Sequence, residues 1–212
     1  MKLYLYDHCP FCVRARMIFG LKNLPVENIY LLDNDVETPT KMIGRKMLPI
    51  LEKDNGEYLP ESLDIVHYVD QLSAPAIATG EISPEVDQWF KEVSGAVYKL
   101  VVPRFTQSSF PEIKTPEAKK AYIEREEKRF GDLNIPLKET KTFLIELEPH
   151  MDVLDEWLEK RGDIINIDDF IIFPVLRSLS IVADLPFSTT ILNYMEKMSK
   201  AANVELLFDQ AK

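Results

Sequence analysis

The sequence predicts an α/β domain with the element order βαβαββα followed by an all-α domain, and three observations carry that reading. Strand-like and helix-like segments alternate over the first seventy-odd residues, strand signals then become scarce, and helix-start signals recur from about residue 84. The 212 residues, 46% of them hydrophobic, suffice to give each of two small domains a core.

The elements follow in order. Lys2-Leu3-Tyr4-Leu5-Tyr6 alternates as a half-buried strand does, which predicts a first strand over 2–6, with others at 26–31, 48–51 and 57–59. Helices are expected at about 10–23, 37–43 and 62–72, and Asp54-Asn55-Gly56 supplies a tight turn between the last two strands. Two βα units, a hairpin and a closing helix make one mixed sheet with helices on its faces. Helix 10–23 is apolar on two sides, with Phe11, Ala15 and Ile18 on one stripe and Met17, Leu21 and Leu24 on another. One stripe suits the sheet; the other calls for a second apolar surface, which the helical half can provide.

Leu72 to Gly80 has few charges and weak periodicity, so the expected division is a domain over 1–73, a linker over 74–83 and a helical domain over 84–212. Ser83-Pro84-Glu85 and Thr115-Pro116-Glu117 each set a cap residue, a first-turn proline and an acid in order, starting two helices. More helices are expected around 138–160, 168–182 and 188–201, with Pro149 breaking or kinking the first of these.

Charge and hydropathy exclude several roles. A net charge of −10 and a pI near 4.9 argue against nucleic-acid binding. The adjacent basic pairs Arg45-Lys46, Lys119-Lys120, Lys128-Arg129 and Lys160-Arg161 stand among a majority of acidic residues and read as solvated faces. No apolar run approaches the roughly 20 residues of a membrane span. Met1 leads straight into a strand, not a secretory leader, so a reducing cytoplasmic setting is expected. A lone close pair of cysteines there points to chemistry more than to a structural staple.

That pair is Cys9-Pro10-Phe11-Cys12, at the junction of the first strand and first helix. Free N–H groups and the positive end of the helix dipole favour a thiolate at Cys9, and the three-residue offset sets Cys12 about one turn inward, in reach of a mixed disulfide. Pro10 suits the first turn, where its missing N–H costs least. The alternatives are a structural disulfide, half of a zinc site, or a pair without catalytic role. A four-residue loop gains little from cross-linking, and beyond the cysteines a zinc ion would find only His8, His67 and His150, without ligand spacing, so no metal is expected.

Cys-Pro-Phe-Cys after a first strand resembles the glutaredoxins, whose usual form is Cys-Pro-Tyr-Cys. Leu48-Pro49-Ile50-Leu51 and Glu61-Ser62-Leu63-Asp64-Ile65 together resemble a glutathione site. The resemblance implies a thioredoxin-like fold with Pro49 cis and the backbone of Leu48 pairing with the cysteinyl part of glutathione. Ser62 and the free N–H groups of its helix would receive the γ-glutamyl carboxylate, and Glu61 the adjacent ammonium. Taken singly, Ser62 also reads as a plain N-cap and Pro49 as a strand-edge turn. Tyr6 and His8 flank the cysteines, and either can be structural: Tyr6 a strand-end wall, His8 an exposed loop residue.

The later half, through Leu100-Val101-Val102-Pro103-Arg104-Phe105, Asn166-Ile167-Asp168-Asp169-Phe170 and Pro174-Val175-Leu176-Arg177, resembles the C-terminal domain of glutathione transferases. More closely, nearly the whole chain is similar to the two-domain bacterial glutaredoxin 2 family, a glutathione-transferase-like architecture. Asn166 with Asp169 resembles the transferase capping motif and is assigned to helix nucleation, and Arg104 is read as structural. The resemblance implies a monomeric thiol-disulfide oxidoreductase that uses Cys9 and Cys12 on protein-glutathione mixed disulfides and some protein disulfides. Glutathione would be a co-substrate, not a resident cofactor, with glutathione reductase and NADPH behind it. A transferase using Tyr6 and a non-catalytic redox-sensing module are the other classes considered; a second cysteine at the resolving position has no role in conjugation.

Overall fold

The architecture is that of a computed structural model, in which residues 1–183 and 185–212 are described. Four strands form one mixed sheet: β1 (Lys2–Leu5), β2 (Glu27–Tyr30), β3 (Ile50–Glu52) and β4 (Tyr58–Pro60), in the order β2-β1-β3-β4. β1 runs parallel to β2 and antiparallel to β3, and β3 pairs antiparallel with β4. With α1 (Pro10–Leu21), α2 (Glu37–Ile43) and α3 (Ser62–Asp70) interleaved, this is the expected βαβαββα order.

Small differences at the element ends have local causes. The first strand stops at Leu5 and not Tyr6, because the Tyr6 N–H turns from the sheet to the Cys12 sulfur at 3.3 Å. The third strand starts at Ile50, two residues later than expected, after the cis Leu48–Pro49 bond. α1 ends at Leu21, closed by Asn23 in the left-handed region that a short polar side chain tolerates.

The helical part comprises α4 (Pro84–Phe105), α5 (Pro116–Phe130), α6 (Asn134–Lys138), α7 (Thr140–Arg161), α8 (Asp169–Leu179) and α9 (Thr189–Ala202), with short 3₁₀ turns at Pro111–Ile113 and Phe208–Gln210. The Ser83 and Thr115 hydroxyls accept from the N–H groups of Val86 and Ala118, as their start signals predict. Asn166 and Asp169 form a reciprocal cap. The Asp169 carboxylate accepts the Asn166 N–H at 2.8 Å and the Asn166 side-chain oxygen accepts the Asp168 N–H at 3.0 Å. Arg104 is buried and ties α4 to the Lys212 carbonyl and the Thr140 hydroxyl, a structural role.

Pro149 does not break its helix, since α7 is continuous through it. The carbonyl that its missing N–H would have served belongs to Ile145, an exposed residue, while Phe143, Leu147, Met151 and Leu154 hold the opposite face in the core.

α1 is covered twice, as its two stripes require. Ala15, Met17 and Ile18 are fully buried, and the core of the α/β half is completed by Ile167, Phe170, Phe173, Met198 and Ala202 from the helical half. Phe11 departs from the expectation: it is 38% exposed, lining the cleft beside Cys9 with the Arg14 guanidinium over its ring. The connection from α3 to α4 is pinned, too. The Asp70 carboxylate accepts the Ile77 and Ala78 N–H groups, and Lys22 bonds both that carboxylate and the carbonyls of Ser73 and Pro75.

Candidate active site

The site is assembled where β1 hands over to α1. Cys9 is the N-cap of α1, in extended backbone, with Pro10 as the first helical residue and the Val13 N–H bonded to the Cys9 carbonyl at 2.9 Å. Both cysteines are free thiols: Cys9 is part-exposed and Cys12 buried. The Cys9 thiol is brought down to about 6, first by a hydrogen bond from the Cys12 thiol, against the opposing effect of burial, then by the charge of His8 and the N–H groups of Cys12 and Phe11. Burial and the Cys9 charge push Cys12 well above the ordinary thiol value. The two therefore titrate as a coupled pair in which the outer sulfur ionises first.

Cys9 opens onto a cleft of about 440 Å³ between the two halves of the molecule. Tyr6, His8, Phe11 and Leu48 line one wall, and Tyr98, Phe105, Tyr122 and Arg129 belong to the other. Leu48 reaches this wall just before the cis bond to Pro49, which is buried. Glu61 and Ser62 lie outside the cleft lining. Glu61 is exposed, with φ of 68°, and pairs with Arg45 at 3.0 Å. Ser62 is the first residue of α3; the helix has no side-chain cap, so the plain N-cap reading of Ser62 is not what forms. Its oxygen instead accepts from Arg14 at 3.3 Å, which joins α3 to α1 and leaves its O–H free to donate.

Residues 85–211 match the family model of the glutaredoxin 2 C-terminal domain, and residues 3–76 that of the glutathione S-transferase N-terminal domain. The chain is 42% identical to glutaredoxin 2 of Escherichia coli K12 over 214 residues, covering all of both. The chain belongs to the glutaredoxin 2 family. By that membership it is a glutathione-dependent disulfide oxidoreductase of thioredoxin-like and glutathione-transferase-like architecture. A crystal structure of glutaredoxin 2 from Salmonella typhimurium in complex with glutathione superposes with a TM-score of 0.95 at 42% identity, covering 100% of this chain and 98% of that one. Glutathione transferase GSTFuA3 from Phanerochaete chrysosporium shares the fold at 14% identity with a TM-score of 0.74, covering 94% of this chain and 96% of that one.

In this glutaredoxin 2 relative, residues around the cysteines hold contacts that sequence reasoning missed, and Arg14 and Glu112 carry no sequence signal at all. Arg14 lies on α1 with its guanidinium over the Phe11 ring; it donates to the Phe170 carbonyl as well as to Ser62, and burial lowers it to about 10, which leaves it charged at neutral pH. Arg177 reaches from α8 to the Asp7 carbonyl at 2.7 Å and its carboxylate at 3.1 Å. Glu112 bonds both the N–H and the ring of His8, so the exposed-loop alternative for His8 is wrong: it is buried and paired. Tyr6 stacks on His8, and its hydroxyl is buried with no hydrogen-bond partner among the described residues. Among the described residues there is no group of three or more metal-binding side chains and no helix long and apolar enough to cross a membrane.

Proposed function

We propose that this chain reduces protein-glutathione mixed disulfides and some protein disulfides, with Cys9 as nucleophile and Cys12 as resolving thiol. One observation carries the reading. An acidic, part-exposed sulfur stands at a helix start against a cleft, with a second, protonated sulfur buried behind it. The Cys9 thiolate attacks the glutathionyl sulfur of a mixed disulfide, the client sulfur leaves as a thiolate and takes a proton, and Cys9 is left joined to glutathione. A second glutathione thiolate then attacks that glutathionyl sulfur, giving glutathione disulfide and the free Cys9 thiolate.

With a protein disulfide, Cys12 resolves the intermediate by attacking the Cys9 sulfur, and two glutathione molecules reduce the resulting Cys9–Cys12 bond. The raised pKa of Cys12 suits that order. Its proton is held by burial, by the hydrogen bond to Cys9 and by the Cys9 charge, and the last two vanish once Cys9 is in a mixed disulfide. Glutathione disulfide returns through glutathione reductase and NADPH in a reducing cytoplasm, where the protein acts as a monomer. For glutathione itself we assign the backbone of Leu48, the turn at Pro49, the Ser62 hydroxyl for the γ-glutamyl carboxylate and Glu61 for its ammonium. The glutathione-bound relative and the free Ser62 O–H support this.

The test is turnover of a glutathionylated peptide coupled to glutathione, glutathione reductase and NADPH. Ser62→Ala should lower kcat/KM about ten- to a hundredfold, the loss of one charge-assisted hydrogen bond of roughly 1.5–3 kcal/mol, with the fold intact. Unchanged kinetics would move the γ-glutamyl end elsewhere. In addition, thiolate absorbance of the reduced protein should show Cys9 titrating near 6 and alone below neutrality, and activity should fall as pH drops through that value, because the base form attacks. A titration at or above the ordinary thiol value, about 8.5, would remove the acidic nucleophile. The Tyr6 hydroxyl, without a partner among the described residues, favours a second reading, conjugation of electrophiles, but burial raises its pKa and keeps it protonated. Rapid conjugation of an aromatic electrophile that survives loss of Cys9 would favour that reading.

A further inference from the structure

The turn that presents Cys9 belongs to the α/β domain, yet a buried acid from the helical domain holds it. Glu112, in the 3₁₀ turn before α5, is completely buried. Its Oε1 accepts the His8 N–H at 2.9 Å and bonds the His8 ring through Nδ1, while its own carbonyl accepts the Asp33 N–H at 2.8 Å. Its other oxygen has no partner among the described residues. A carboxylate so placed is costly unless a cation compensates it, and among the described residues the one side chain it bonds is His8.

We infer that Glu112 is a positioning residue for the redox step: it clamps His8 as an imidazolium against the nucleophile's turn, so that docking of the helical domain sets the reactivity of Cys9. The inference rests on Cys9 being the nucleophile proposed above. The His8 ring is caged by Tyr6 from its own domain and by Phe105, Phe110 and Tyr122 from the other, at centroid distances of 5.0–5.8 Å, which leaves it little freedom to swing away. The charged groups facing it are few. On its own segment, Asp7 is already held by Arg16 and Arg177, and Cys9 follows directly. From α5, Arg125 opposes a proton on His8, but its charge is engaged by the buried Asp33 carboxylate and by Glu126. Burial also works against the imidazolium; the hydrogen bond and charge of Glu112 outweigh it and raise His8 above its ordinary value, with the Cys9 thiolate adding in the same direction. Reciprocally, the His8 charge is one of the causes that lower Cys9.

The full-length protein, Glu112→Gln, His8→Gln and the double variant are compared by Cys9 thiolate titration and by kcat/KM on a glutathionylated peptide. Glu112→Gln should move the Cys9 titration upward and cut its thiolate fraction at pH 7 by about three- to tenfold, with rates converging on wild type at alkaline pH. His8→Gln should do the same, and the double variant no more than either alone. A merely structural Glu112 would lower the melting temperature and leave the Cys9 titration where it was. That result overturns the inference, as would a full additional shift from Glu112→Gln in the His8→Gln background. As a readout that needs no variant to fold, the His8 imidazole is also titrated by NMR in the wild-type protein. It should stay protonated well above 6.5, and titration at or below that value overturns the inference. If the wild type turned over no mixed disulfide while Glu112→Gln still moved the Cys9 titration, the proposed function would fall and the coupling would stand.

Discussion

Replacing Cys9 by serine is expected to reduce turnover of a glutathione mixed disulfide by on the order of a thousandfold or more, to the rate in the absence of protein. The reason lies in what Cys9 has and serine cannot acquire. The Cys12 hydrogen bond, the His8 charge and two helix N–H groups bring a thiol to about 6, so that most of it is thiolate at neutral pH. The same surroundings cannot ionise an alcohol. Cys12→Ser should behave differently. A serine there can still donate a hydrogen bond to Cys9, and glutathione can resolve the intermediate, so deglutathionylation should persist while reduction of protein disulfides is largely lost. The coupled glutathione reductase assay reads the first and reduction of a protein disulfide the second. Activity on the mixed disulfide surviving in Cys9→Ser would assign the nucleophile elsewhere, and its complete loss in Cys12→Ser would show that the resolving thiol is needed even for the small substrate.

The elements legible in the sequence are those whose cause is local. The cap, proline and acid of Ser83-Pro84-Glu85 state a helix start within three residues, and the cysteine spacing states its chemistry within four. The two apolar stripes of α1 even announce a second domain, because a helix buried on both sides needs a second cover. What was not legible is tertiary. Glu112 is one of 35 acidic residues and nothing nearby marks it as the one that is buried; its role arises because a 3₁₀ turn over a hundred residues away in sequence lands on His8. Arg14 and Asp33 were silent for the same reason, and Arg177, quoted only as part of a resemblance, gave no hint that it reaches Asp7. Pro149 is the opposite case: a strong local signal was overridden because the proline falls on a helix whose other face, Phe143, Leu147, Met151 and Leu154, is held in the core.

Since Arg177 and Glu112 both reach the turn before Cys9 from the helical domain, the seam between the domains matters for more than stability. One close point of it is Gly20 on α1. A Cβ built there would lie 1.8 Å from the carbonyl oxygen of Ala202 and 2.3 Å from its carbonyl carbon, backbone atoms at the end of α9 that cannot swing aside. Two effects of Gly20→Ala oppose each other. Alanine favours an isolated helix over glycine by about 1 kcal/mol, which alone would stabilise α1. Against that, the clash forces α1 and α9 apart, and Met198, Ala202 and Phe170 must give up part of their contact with the α/β core. Overpacking of this kind costs about 1–3 kcal/mol where side chains can relax, and here the obstacle is backbone, so the upper end or beyond applies. The net expectation is a loss of at least about 2 kcal/mol, read by thermal unfolding as a fall in Tm of roughly 4–8 °C for a chain of this size. A Tm at or above that of the wild type would mean the helix gain wins and the domains are not held in contact at Gly20.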